Sequence, residues 1–495
     1  MDILIKDAAE EAVKADVVIL PFFEDSSPDT YSSLDSLIGG LIRRVVEEKE
    51  FTGKQNQLSL LHVKNSNAGR ILLTGMGKSS TLSPERIRQA GGKALSYAQG
   101  LGFRDVAVSA RRFHEGSGLL RGKHSPEYYF AEGGLLALYR FEKYRKQENG
   151  REIRSLILLG ADRNIPLKQM QATAAAVHFA RDLVNTPSND MTPSHLGDTA
   201  KNLAGRKVRV TVLGGKEIEK KGMGAYLAVS RGSAQPPKFI ILEYRGGKGS
   251  PVVLVGKSIT FDSGGLSIKP AEGMEKMKYD MSGGAVALGV IKAASELFLP
   301  LNITALLPAA ENLPGGTAYR PGDVVRTLSG KTIEIISTDA EGRLALADAL
   351  EYALRYCRPK AMIDIATLTG ACSVALGSEA VAMMGNDRDL LESLKGAAEE
   401  TGERVWEMPL YDEYKEYLKS DIADLKNAGG RGGALVTAGY FLREFAGDAP
   451  WVHLDIAGTA WTDKEKPYVP KGATGIGVRL LLAFLGRLSA PGQGE

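Results

Sequence analysis

Apolar and polar positions alternate along the chain in two rhythms. Short apolar runs at 16–20, 58–63, 70–74, 106–108 and 156–159 predict buried strands. Between them, residues 37–48, 83–101 and 126–145 carry helical spacing, and Ser83-Pro84-Glu85 supplies a cap with proline at the first helical position. Strands alternating with helices predict an α/β domain with a largely parallel sheet. A polar bridge at 160–166, ending in Pro166, predicts a boundary that gives domains 1–165 and 166–495. Beyond it come an alanine-rich helix at 167–183, stopped before Pro187 and Pro193, a helix at 192–204 and a strand at 208–213. The apolar runs 239–244 and 251–255 predict central strands buried on both faces. The second domain is therefore expected to be a larger α/β unit, its mixed, mostly parallel central sheet flanked by helices.

Composition narrows the class without naming a chemistry. A hydrophobic fraction of 43% with 24% charged residues is that of a soluble globular protein, and 495 residues exceed one ordinary core. The net charge of +3 argues against a dedicated nucleic-acid binder. Two cysteines, Cys357 and Cys372, cannot build a disulfide framework, so a reducing, cytoplasmic location is expected. The N-terminus lacks the pattern of a signal peptide, and no apolar run approaches the ~18 residues of a membrane span. The 57 glycines, many in short loops of the second half, suggest tight turns and backbone brought close to ligands.

The densest chemistry lies in Ser337-Thr338-Asp339-Ala340-Glu341-Gly342-Arg343-Leu344, between an apolar run at 332–336, read as a buried strand, and a helical pattern from Leu344. Two positions apart, Asp339 and Glu341 would leave an extended segment on one side and converge on one ion. Acids decorating a first helical turn are the plainer alternative. After the strand ending at Val255 come Lys257, Asp262 and Lys269 on a glycine-rich loop that lacks the phosphate-loop spacing, and then Asp280 ahead of a small-residue helix at 285–297. Asp280 alone reads as readily as an N-cap. Together, Asp262, Asp280, Asp339 and Glu341 fall at element ends that an α/β fold collects along one sheet edge. Four converging carboxylates repel one another, and bound cations are the natural remedy. Shared oxygen ligands suit two divalent ions about 3.5–4 Å apart. None of the six histidines lies in these loops, which excludes a histidine-based mononuclear zinc site.

These phrases carry a family resemblance. Val255-Gly256-Lys257, 260–265, Lys278-Tyr279-Asp280-Met281 and 338–344 resemble the leucyl aminopeptidase (cytosol aminopeptidase) family of dinuclear metallopeptidases, as do 181–187, Ala366-Thr367-Leu368-Thr369-Gly370 and 453–461. The resemblance implies that Asp262 and Glu341 bridge two divalent metals, zinc or manganese, with magnesium or cobalt also compatible. It implies that Asp339 completes the more exchangeable site and that Lys257, as a neutral amine, and Asp280 complete the tighter one. Lys269 would polarise the scissile carbonyl, and Arg343 would hold a bicarbonate ion as general base, since a guanidinium does not deprotonate. The substrate's free α-amine would bind beside Asp280, making the enzyme an exopeptidase acting on peptides with a free N-terminus. Leu368 and the loop 427–433 would line the substrate, with Met274 and Ala460 in the side-chain pocket. Ser337 and Ser258 stand where the family usually has asparagine and glycine. The resemblance further implies an N-terminal macro-like α/β domain and a cytoplasmic homohexamer.

Two alternatives use the same residues differently. Two-metal phosphoester hydrolysis needs the same carboxylates but a basic phosphate grip that this chain lacks. DNA binding, an architectural role of some family members, would use Arg43-Arg44, Arg111-Arg112 and 143–151, which read better as solvated faces.

Overall fold

The computed structural model describes residues 1–64, 67–115, 122–146 and 152–489. The chain forms two compact units, Met1–Ala174 together with Lys464–Pro470, and Ala175–Asp463 together with the residues from Lys471 onward. No helix among the described residues is long and apolar enough to cross a membrane.

In the first unit six strands lie in the order Asp2–Lys6, Ser155–Leu159, Asp105–Ser109, Val17–Phe22, Arg70–Gly75 and Leu58–His62. Every pairing is parallel except that of Leu58–His62 with Arg70–Gly75. The period-two alternation of a strand is visible in Val17–Phe22, where Val17 and Ile19 enter one core and Val18 and Leu20 the other. Helices Pro84–Gly100 and Pro126–Ala137 cross on one face at glycines: a Cβ on Gly91 would lie 2.0 Å from the Phe130 carbonyl oxygen, and one on Gly133 2.0 Å from that of Arg88. The distant segment Lys464–Pro470 joins this unit, with the Tyr468 hydroxyl donating to Glu85 at 2.9 Å.

The second unit is built on a nine-stranded sheet, in the order Val405–Glu407, Val381–Gly385, Trp451–Asp455, Ala361–Ala366, Val252–Gly256, Asn302–Asn312, Lys238–Arg245 and Val208–Leu213, with Ser258–Asp262 also pairing Asn302–Asn312. The four strands from Trp451–Asp455 to Asn302–Asn312 run parallel, and antiparallel neighbours flank them. Their carboxyl ends therefore meet along one edge, where such sheets carry their sites.

Three local expectations change. Residues 37–48 are not one helix: Ser32–Leu37 and Leu41–Glu47 are separate, because Gly39 and Gly40 take φ of +77° and +73°. The helix expected at 126–145 ends at Ala137. The strand expected at 332–336 is only Thr332–Glu334 and belongs to a separate three-stranded sheet with Val324–Arg326 and Leu425–Lys426; Ile336 is 45% exposed.

Candidate metal centre

Lys257 follows directly on Val252–Gly256, and its backbone N–H donates to the Ile365 carbonyl at 3.0 Å. The helix Ser282–Leu297 begins against the same strand ends, its Gly284 N–H donating to the Lys257 carbonyl at 2.8 Å. Only glycine permits that approach: a Cβ on Gly283 would lie 2.0 Å from the Ile365 carbonyl oxygen, and one on Gly256 2.5 Å from that of Gly283. The Gly283 and Gly256 contacts thereby bring Asp280, in the 3-10 turn Met274–Met281, onto the Lys257 ammonium. The cap position of the helix is Met281, so Asp280 is not its N-cap.

The carboxylates gather in two groups, each around one lysine. Lys257 Nζ is 2.8 Å from both Asp280 Oδ1 and Glu341 Oε1 and donates to the Thr367 carbonyl at 2.8 Å. Lys269 Nζ is 2.8 Å from Asp262 Oδ2 and also pairs with Asp339. Oxygens of Asp262, Asp280 and Glu341 all lie within 4.8 Å of one another, and the three side chains are buried. Asp280 Oδ2 and Glu341 Oε2 are buried without a hydrogen-bond partner. Burial raises the pKa of Asp280 well above the usual carboxylate value despite the Lys257 ammonium, and burial and Glu341 raise that of Asp262. Burial disfavours both ammoniums, yet Asp280, Glu341 and Asp262 around Lys257, and Asp262, Glu341 and Asp339 around Lys269, outweigh it and hold both pKa values above the ordinary lysine value. Four carboxylates against two ammoniums leave an excess of two negative charges beside unpartnered buried oxygens. That donor set fits hard divalent cations.

The five expected ligands are thus brought together, but not by the expected geometry. Asp339 and Glu341 do not alternate along an extended segment. The chain turns at 338–340, and Glu341 has helical dihedrals at the start of Gly342–Tyr352, so Asp339 faces Lys269 while Glu341 faces Lys257. Gly342 fits beneath, where a Cβ would lie 2.5 Å from Lys257 Cε. Arg343 is buried, donates to the Asn427 carbonyl at 2.7 Å and stands 6.0 Å over the Phe441 ring; its Nε has no partner, and burial lowers its pKa to about 10. The Leu368 N–H donates to Asp455 Oδ1 at 3.1 Å.

Several further residues support the ligands and their loops. Thr367 donates its hydroxyl to Asp280 Oδ1 at 2.8 Å. Asn312 Nδ2 donates to Asp262 Oδ1 and to the Thr338 carbonyl. Asn427, expected in a substrate-lining loop, is fully buried and holds the Ser337 carbonyl through Nδ2 at 2.7 Å and the Ile336 N–H through Oδ1 at 2.8 Å. His453 is buried on Asp364, whose other oxygen accepts from Trp451 Nε1 at 2.7 Å. Of the basic stretches, Arg43 pairs with Asp29 and Arg111 with Asp7, while 147–151 lie outside the described residues.

Comparison with known proteins gives one answer across the chain. Residues 178–482 match the family model of the cytosol aminopeptidase family, catalytic domain, and residues 19–148 match the N-terminal domain of the same family. Relatives named "Probable cytosol aminopeptidase" include one from a Geobacter species, 47% identical over 95% of this chain and 96% of its own length. Another, from Geotalea uraniireducens, is 48% identical over 92% and 93%. A mutant of tomato leucine aminopeptidase superposes with a TM-score of 0.87 at 34% identity, covering 98% of this chain and 96% of that one. The bottromycin maturation enzyme BotP in complex with Mn does so with 0.87 at 34%, covering 96% and 100%. With the carboxylate cluster at the sheet edge, the chain belongs to the cytosol aminopeptidase family and is a metal-dependent aminopeptidase.

Proposed function

We propose that the site holds two divalent ions and releases the N-terminal residue of peptides by hydrolysis. Asp262 and Glu341 would be shared between the ions, Lys257 and Asp280 would complete the buried position, and Asp339 would complete the more open one. The supporting observation is the pair of lysine-centred carboxylate groups joined through Asp262, Asp280 and Glu341. When bound, zinc, manganese, magnesium or cobalt would supply Lewis acidity and an activated water. The chain's own groups do the rest. Lys257 would hold an ion as a neutral amine, its ammonium proton released to solvent on loading. Lys269, less buried than Lys257, keeps its charge and donates to the scissile carbonyl oxygen as negative charge develops there. Asp280 receives the substrate's free α-amine, which limits cleavage to N-termini. Leu368 lines the substrate side, on a loop whose backbone Asp455 holds. Arg343, its Nε unpartnered, holds a bicarbonate ion whose role is that of general base. Exposed apolar side chains of the second unit, among them Val374 at 90% and Ile422 at 65%, support burial against further copies in a cytoplasmic homohexamer.

The test is metal analysis beside turnover of a leucine anilide. Glu341→Ala and Asp262→Ala are each expected to lose metal stoichiometry and activity together, since a bridging carboxylate serves both ions. Wild-type turnover by either variant would sink the two-ion assignment.

A further inference from the structure

Asn312 ends the strand Asn302–Asn312 fully buried, where a polar side chain is costly unless bonded. Its amide orientation follows from its neighbours. Nδ2 lies 2.8 Å from Asp262 Oδ1 and 2.9 Å from the Thr338 carbonyl oxygen, both pure acceptors, and a flipped amide would set oxygen against oxygen at each. Oδ1 is left without a donor and faces the turn, 2.8 Å from where a Cβ on Gly265 would stand. The Asn312 main chain grips the same turn, its carbonyl accepting from the Ser263 N–H at 3.0 Å and the Ser263 hydroxyl at 2.9 Å. Asp262 Oδ1 accepts also from the Gly264 N–H at 2.9 Å, which leaves Oδ2 turned to Lys269. One side chain thus joins the segment carrying Asp262 to the segment carrying Asp339, which are remote in sequence. The other half is braced separately, Asp280 accepting from Lys257 and from the Thr367 hydroxyl.

From this bridge we infer that Asn312 is a positioning residue for one half of the centre, fixing Asp262 and the Thr338–Asp339 backbone so that the more open ion position forms. The inference rests on the two-ion reading above. A neutral donor suits this role because it orients a carboxylate without neutralising it, whereas a lysine there would compete with the cation. Groups supporting metal ligands in this way typically change metal affinity about 10–100-fold when removed.

The experiment titrates chelator-stripped wild type, Asn312→Ala and Asn312→Ser with Mn²⁺ by calorimetry, and follows peptidase kinetics across Mn²⁺ concentrations. Asn312→Ala is expected to bind the second ion about 10–100-fold more weakly and to weaken the first, which keeps Lys257, Asp280 and Glu341 and shares only the loosened Asp262, by clearly less. Its kcat should recover as Mn²⁺ is raised, with little change in KM, and Asn312→Ser, which retains a short donor, should fall between. Recovery by metal is what a merely structural role would not show. Equal affinity for both ions in wild type and Asn312→Ala overturns the inference, as does equal weakening of both. If both variants remain unfolded at saturating Mn²⁺, Asn312 holds the fold rather than the ion position, and the inference falls. A wild type that binds fewer than two ions overturns instead the two-ion reading.

Discussion

Lys257 offers the sharpest test of the site's electrostatics, because its ammonium is buried and bonded on three sides. The perturbation is Lys257→Met, which keeps an unbranched side chain, one atom shorter, and removes its charge. Lost are the contacts to Asp280 and Glu341, both at 2.8 Å, and the bond to the Thr367 carbonyl at 2.8 Å. Both carboxylates are buried, so water cannot replace the partner, and removing one member of a buried pair costs roughly 3–5 kcal/mol. At about 2 °C per kcal/mol for a large domain, the melting transition of chelator-stripped protein should fall by about 6–10 °C at pH 8. The loss depends on pH in a defined direction. The Lys257 pKa lies above that of an unfolded lysine, so its contribution is fully present below the unfolded value, and wild type does not lose it between pH 5 and 8. The variant loses the main opposition to the burial that already raises Asp280, which then keeps its proton in the folded state to higher pH than in wild type, while the unfolded chain releases it. Stability of the variant therefore falls as pH rises above the ordinary carboxylate range, by about 1.4 kcal/mol per unit for each such group. The assay is calorimetric or fluorescence-detected unfolding at pH 5.5 and 8 in excess chelator. A deficit below about 1 kcal/mol, or one equal at the two pH values, would show the carboxylates to be solvated and the reasoning wrong.

Two further predictions concern residues with different duties. Lys269→Ala should lower kcat while both ions are retained; loss of an ion from this variant would mean that Lys257 and Lys269 exchange the roles proposed for them. Asp348 is fully buried in the helix Gly342–Tyr352, accepting from the Leu328 N–H at 2.7 Å and the Tyr226 N–H at 2.9 Å, and burial raises its pKa to about 7. With the folded value above the unfolded one, wild type loses about 1.4 kcal/mol per unit as pH climbs from about 4 to about 7, and Asp348→Asn should flatten that slope in unfolding measured at pH 5 and 7.5. An unchanged slope would assign the pH dependence elsewhere.

Much of the site was legible because its ligands stand next to strong strand patterns. Lys257 and Asp262 follow apolar runs, and a parallel sheet gathers such ends at one edge whatever the loops between them do. What escaped is local geometry and remote partnership. Asp339 and Glu341 looked like alternating strand residues, yet the strand before them stops at Glu334, and a turn sends the two acids to different lysines. Spacing could not show this, since a turn without glycine or proline at its centre leaves no mark. Gly39-Gly40 did leave a mark, and the helix expected across it is broken there by positive φ. Asn312 could not be found locally, because it is one polar residue at a strand end whose partner Asp262 lies far along the chain. The joining of Lys464–Pro470 to the first unit is likewise a tertiary fact with no periodicity behind it.

The two lysines explain how so many carboxylates can be carried at one edge. A buried carboxylate cluster would raise its own pKa values until it took up protons, and an oxygen that holds a proton is a poor cation ligand. Each ammonium opposes the burial that raises Asp280, Asp262 and Asp339 and holds its pair of acids close together, but the pairs differ in exposure. The Lys257 pair is closed by glycine-mediated contact of Ser282–Leu297 and Gly342 against the strand ends, whereas in the other pair the Asp339 side chain is 40% exposed and Lys269 21%. A lysine sealed in could accommodate an ion among its carboxylates only by releasing its proton to solvent and acting as a neutral amine; one near solvent can swing toward a substrate and stay charged. The same residue type, placed at two depths of one sheet edge, thereby fills two roles, ligand in the closed half and oxyanion donor in the open one.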